Sequence, residues 1–271
     1  MTRAERGRER RSGRRALLVR LFLLVLVLGL TVVSGLRLAD ERAVAAQGIA
    51  PTSPAPAQRA APSALFVGDS YTQGTGAGDT RRGYACLTAA AMGWNCNLDA
   101  QGGTGFLNAG APGVPGSAPF IDRLAGDRAR FLADVIVVDG GRNDGGLPLG
   151  DVVTAAASYL RELRRIWPKS SIIVVVPTYL WSTPENYGYG TALAEALRPV
   201  LAGIGGHLID PLSERWVAPE QVARFTWTDG IHPDAAGHEY LAERLTADLV
   251  RDGFSSLPVV DARAAATGVA G

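Results

Sequence analysis

A serine nucleophile needs a base, and this chain of 271 residues offers only three histidines. A serine hydroxyl is a poor nucleophile at neutral pH. It needs a base within hydrogen-bond reach, and the base needs a partner that fixes its tautomer. His232 follows Asp229 by three residues in "TDGIHPD" (228–234), so one turn carries both an imidazole and a carboxylate. His207 falls in an apolar stretch ahead of "LIDP" and His238 inside an expected helix, so both read as structural. The best-placed serine is Ser70, at the end of an apolar run in "LFVGDSYTQGTGAG" (65–78). Asp-x-x-His alone describes many surface loops, so the assignment needs support from other residues.

The glycines after Ser70 raise a second chemistry, phosphate binding. A P-loop requires Gly-x-x-x-x-Gly-Lys-Ser/Thr, and this loop holds no lysine. A dinucleotide fingerprint requires Gly-x-Gly-x-x-Gly. Gly74, Gly76 and Gly78 run Gly-x-Gly-x-Gly instead, with Asp79 where the last glycine belongs. The phosphate reading is set aside.

The elements that must position Ser70 and His232 show in the hydrophobic pattern. "ALFV" (64–67), "VIVV" (135–138) and "IIVVV" (172–176) are short, continuous and β-branched, as in strands buried on both faces. "WNCNL" (94–98) and "GHLID" (206–210) are weaker candidates. Val152, Ala156, Leu160, Leu163 and Trp167 form a helical stripe that Pro168 stops. Leu241, Leu245 and Leu249 form another, with Asp234 as its expected N-cap. Alternating strands and helices predict an α/β fold with a doubly wound parallel sheet of about five strands in a three-layer α/β/α sandwich. Ligands then bind beyond the carboxyl ends of the strands. The segments there are "GDS" (68–70), "AQGGTGF" (100–106), "GGRND" (140–144) and "TDGIHPD" ahead of the last helix.

In that order these four blocks resemble the SGNH, or GDSL-like, hydrolase family over about residues 64–250. The family's marks are Ser in Gly-Asp-Ser, a Gly, Asn in Gly-x-Asn-Asp and His in Asp-x-x-His. The aliphatic residue usual after Gly-Asp-Ser is Tyr71 here, a change expected not to touch the chemistry. The resemblance implies a flavodoxin-like sheet and a serine esterase working through an acyl-enzyme. Ser70 would attack an acyl carbonyl, His232 would take and return its proton, and Asp229 would orient His232. The oxyanion hole would be the Ser70 N–H, the Gly102 N–H (Gly103 being the alternative) and the Asn143 side-chain amide. Asn donates without charge, and a glycine lets backbone approach the substrate. Asp69 and Asp144 are expected to brace loops. Acyl transfer would use the same residues. A silent carbohydrate-binding domain would instead have lost a member of the triad, and none is lost.

Substrate contacts are expected from the aromatic segment 177–190, where Tyr179 and Trp181 stand out, and from Trp227 beside Asp229. No residue set calls for a metal or organic cofactor. Cys86 and Cys96 are the only cysteines, and a disulfide or two buried thiols are the alternatives.

The whole chain carries a formal charge of +1, but residues 1–50 carry ten arginines against four acids, leaving a mildly acidic remainder. Nothing there calls for nucleic acid. The basic segment 1–15 precedes an apolar one, 16–38, long enough to cross a bilayer, with the remainder outside the cytoplasm. A retained membrane anchor and a signal cleaved at "AVAA" (43–46) are the two readings. Residues 39–62 read as an Ala/Pro-rich linker, 63–252 as the catalytic domain and 253–271 as a flexible tail.

Overall fold

A computed structural model describes residues 61–114, 116–180 and 184–254. The basic segment, the apolar segment 16–38, nearly all of the linker, most of the tail and Trp181 lie outside the described residues. Among the described residues no helix is long and apolar enough to cross a membrane.

The chain opens with β1 (Ser63–Gly68), the short helix α1 (Ser70–Gln73), α2 (Tyr84–Ala91) and β2 (Asn95–Ala100). It continues through α3 (Phe120–Arg130), β3 (Val135–Asp139), α4 (Leu149–Ile166) and β4 (Ser171–Val175). It ends with α5 (Pro184–Ile204), β5 (His207–Ile209), α6 (Val222–Phe225) and α7 (Ala235–Arg251). The five strands are parallel in the order β2-β1-β3-β4-β5, the doubly wound order expected. Each expected strand is present.

Side-chain alternation sorts the core into two layers. Ala64 and Phe66 of β1 face one side with Val135, Val137, Ile173 and Val175, against Leu241, Leu245 and Leu249 of α7. Leu65 and Val67 face the other with Ile136, Val138, Ile172 and Val174, against Leu160 of α4 and Leu197 of α5. Both faces are covered, which is why the strands read as continuous rather than alternating apolar runs. Asp234 caps α7, its carboxylate accepting from the Gly237 N–H at 2.7 Å.

Two elements were hidden in the sequence. The buried face of α3 includes Arg123 and Asp127 beside Phe120 and Leu124, so no apolar stripe marks it. The aromatic segment 177–190 is not all loop, because α5 begins at Pro184 and carries Tyr187 and Tyr189. Gly188, Gly190 and Pro199 mask its helical character, while a proline in first position favours its start.

Cys86 of α2 and Cys96 of β2 form a disulfide with Cα atoms 5.3 Å apart. The helix, turn and strand start between them fold the segment back on itself. At the other end the described residues reach 254. Phe254 packs edge-on against the His207 ring, centroids 5.3 Å apart.

Candidate active site

The sheet order places β1 beside β3, and the helices that follow these two strands cover opposite faces. That switch point opens a crevice at the carboxyl ends of the strands. Ser70 leaves β1 there as the first residue of α1. Its N–H therefore has no acceptor within the helix. Asp69 caps α1, accepting from the Tyr71 N–H at 2.9 Å. Gly68 is required just before: a Cβ there would lie 2.1 Å from Thr72 Oγ1.

His232 arrives on the loop between α6 and α7. Its Nε2 lies 2.8 Å from Ser70 Oγ, and its Nδ1 lies 2.6 Å from Asp229 Oδ2. The other carboxylate oxygen of Asp229 accepts from the Ile231 and His232 N–H groups at 2.9 and 3.0 Å. One aspartate thus shapes the turn and aims the ring. Desolvation would push the Asp229 carboxyl up, but the His232 ring and these two N–H groups outweigh it and hold it at about 2.

Two contacts lock this loop to the serine segment. Tyr71 Oη donates to the Ile231 carbonyl at 2.6 Å. Gly76, at φ +92°, passes so close that a Cβ would lie 2.1 Å from the Pro233 carbonyl oxygen. Of the glycines after Ser70, Gly76 therefore serves close packing against the histidine loop, while Gly74 packs against Gly83 and Thr80. Tyr71, which stands where an aliphatic residue is usual, thus ties α1 to the histidine loop through its hydroxyl.

Gly102 lies against the serine: a Cβ on it would sit 3.6 Å from Ser70 Cβ, whereas one on Gly103 would face Gly110. Asn143 follows β3 in a 3-10 turn. Its Nδ2 donates to the Thr104 carbonyl at 2.9 Å and to Asp69 Oδ2 at 3.0 Å. Asp144 accepts from the N–H groups of Phe106, Leu107 and Asn108 at 2.8, 3.1 and 2.8 Å, which braces the glycine-bearing loop against the asparagine turn.

Arg142, the arginine of "GGRND", sits one residue before Asn143. It is buried, with Nη1 donating to both Asp69 oxygens at 2.8 and 2.7 Å. Its Nη2 reaches Asp139 at 3.3 Å and the Thr178 carbonyl at 3.2 Å, and its guanidinium lies 3.8 Å from the centre of the Tyr71 ring. Burial pushes the Asp139 carboxyl up to about 6, against the pull of Arg142.

The remaining expectations divide. Tyr179 is buried, and burial pushes its hydroxyl up to about 12. With Tyr187 and Leu212 it lines a cavity of about 540 Å³ beyond the ends of β4 and β5. Trp227 is 42% exposed and its backbone N–H donates to the His232 carbonyl, which puts it on the rim of the crevice. His238 is structural: its Nδ1 accepts from the Tyr84 N–H and its Nε2 donates to the Thr75 carbonyl, and burial pushes its pKa down. His207 pairs with Asp252 at 2.7 Å, far along the fold.

Ser70, His232 and Asp229 thus stand in hydrogen-bonding sequence at the carboxyl edge of a doubly wound sheet. The chain belongs to the GDSL-like lipase/acylhydrolase family, whose model matches residues 66–240. It is 31% identical over 191 residues to the GDSL lipase Rv0518 of Mycobacterium tuberculosis, covering 66% of this chain and 78% of that protein. Among solved structures, an active-site mutant of a family two carbohydrate esterase from Clostridium thermocellum superposes with a TM-score of 0.56 at 23% identity, over 70% of this chain and 63% of that one. The salicylyl-acyltransferase SsfX3 from a tetracycline biosynthetic pathway gives a TM-score of 0.55 at 20% identity, over 74% of this chain and 57% of that one. The chain thus spans less than two thirds of these two structures, and they share its fold.

Proposed function

We propose that this chain is a serine esterase acting outside the cytoplasm, with Ser70, His232 and Asp229 as its catalytic residues. The observation that carries this reading is the chain of contacts from Ser70 Oγ to His232 Nε2 at 2.8 Å and from His232 Nδ1 to Asp229 Oδ2 at 2.6 Å.

Ser70 Oγ attacks the ester carbonyl while its proton passes to His232 Nε2. The carbonyl oxygen becomes an anion that accepts from the Ser70 N–H, the Gly102 N–H and the Asn143 amide. Each such donor is worth roughly 10²–10³ in rate. The tetrahedral intermediate collapses: the C–O bond to the alcohol breaks, and the alcohol leaves with the proton from His232. Water then attacks the acyl-Ser70 ester by the same steps, with His232 taking its proton. An alcohol in place of water gives acyl transfer with the same residues, and product analysis with added alcohols separates the two.

The site outside the cytoplasm is supported by the arginine-rich and apolar segments at 1–38 and by the Cys86–Cys96 disulfide. The whole reading is tested on p-nitrophenyl acetate and longer esters, wild type against Ser70→Ala. Loss of turnover in the variant, with fluorophosphonate labelling confined to Ser70, supports it. Equal rates overturn it. Protease accessibility in intact cells tests the location.

A further inference from the structure

Asn143 has only two amide hydrogens, and both are engaged. One goes to the Thr104 carbonyl and one to Asp69 Oδ2. For the amide to serve an oxyanion, one of these acceptors must give up its hydrogen. Asp69 is the one equipped to do so. Without Asn143 its carboxylate still accepts from the Tyr71 N–H and from Arg142 Nη1 on both oxygens. It would be left neither unsatisfied nor without a counter-ion.

Charge points the same way. Asp69 Oδ2 sits 3.0 Å from the amide nitrogen toward which an oxyanion would be drawn. A bare carboxylate there would repel the developing anion in a site where water screens little. Arg142 lies against that carboxylate with its side chain 3% exposed. Its planar fork cannot be reproduced by a lysine. The same guanidinium lies over the Tyr71 ring, whose hydroxyl holds the histidine loop.

We propose that Asp69 and Arg142 are a positioning pair for the oxyanion hole: Asp69 holds the Asn143 amide in place in the free enzyme and yields it to the oxyanion, and Arg142 neutralises the carboxylate so that the exchange is favourable. The inference rests on the esterase reading and adds two residues that never touch the reacting atoms.

The test compares wild type, Arg142→Lys, Arg142→Met and the double variant Asp69→Asn/Arg142→Met, each checked for folding by near-UV circular dichroism. Arg142→Met is expected to lower kcat about 10²-fold, the size of one oxyanion donor, with KM within about threefold. The double variant is expected to recover about tenfold or more, since it removes the uncompensated charge beside Asn143 yet keeps a side-chain oxygen for it, and Asp139 retains the Tyr84 hydroxyl as donor. Phenylboronic acid adds to Ser70 Oγ as a tetrahedral anion, the hydroxyl proton passing to His232. Its inhibition constant should rise in parallel with the fall in kcat. If Arg142→Met does not fold, Arg142→Lys decides: its ammonium retains the charge but cannot reproduce the planar fork that holds Asp69, Asp139 and the Thr178 carbonyl together, so kcat should fall about tenfold with KM within about threefold. A wild-type kcat in the folded Arg142 variants, a double variant no faster than Arg142→Met, or a loss confined to KM and thermal midpoint would each overturn the proposal. A wild type that neither hydrolyses esters nor labels at Ser70 would overturn the esterase reading itself.

Discussion

Tyr71 and Ile231 are 160 residues apart in the chain, and the hydroxyl of one is bonded to the carbonyl of the other at 2.6 Å. This bond fixes the loop of Asp229 and His232 to the helix of Ser70. Tyr71→Phe keeps the ring under Arg142 and removes only the hydroxyl. We expect kcat/KM to fall about three- to tenfold, consistent with roughly 1 kcal/mol for one hydrogen bond, with the fold intact. Steady-state kinetics beside a thermal melt measures this.

Asp229→Asn tests the orienting carboxylate. The asparagine can present its amide to His232 Nδ1 and so favour the wrong tautomer, a change that costs on the order of 10⁴ in kcat in a serine protease. We expect a loss of at least about 10². With Asp229 held at about 2, its contribution to stability is complete above pH ~4 and lost as pH falls through about 2. Activity lost between pH 7 and 5 therefore does not arise from protonation of Asp229, which rate profiles of the two proteins will show.

Asp127 of α3 gives the opposite pH signature. Burial and the neighbouring Asp99 push its carboxyl up to about 7, while Arg130 and Arg123 pull it down. The folded state then keeps a proton that the unfolded chain releases at about 4. Stability from this group is present at acid pH and falls as pH rises from about 4 to 7. Asp127→Asn should flatten that slope, so the variant gains on wild type in melting temperature between pH 5 and 8.

Gly76→Ala places a methyl group against the Pro233 carbonyl at a φ of +92°. The clash is with backbone and cannot be relieved by a rotamer. We expect the histidine loop to be displaced, with kcat falling more than tenfold and the melting temperature dropping. A crystal structure of the variant would show His232 Nε2 moved away from Ser70 Oγ.

Reduction of the disulfide should act on stability alone. The bridge closes a loop of sequence separation 10, for which chain entropy gives about 2–3 kcal/mol. Cys86→Ser/Cys96→Ser should lower denaturation midpoints accordingly and leave kcat of the folded enzyme near the wild-type value.

The sequence made the sheet and the Ser70, Asp229 and His232 constellation legible for a definite reason. Buried parallel strands must be continuous and apolar, and the chemistry must follow their carboxyl ends. What it concealed has causes just as definite. In α3 the buried face includes Arg123 and Asp127, so hydrophobic periodicity had nothing to register. The glycines and proline of α5 speak locally against helix, and packing of Leu193, Leu197 and Leu201 overrides them. Arg142 and Tyr71 were hidden because their roles lie in pairings with residues 73 and 160 positions away. No local pattern encodes such a distance.

The separation of 162 positions between Ser70 and His232 also orders events in time. A ribosome delivers Ser70 first and His232 only after every strand of the sheet has been made. On the proposed reading, Ser70 has no base within reach until the loop of His232 has been made and packed against α1.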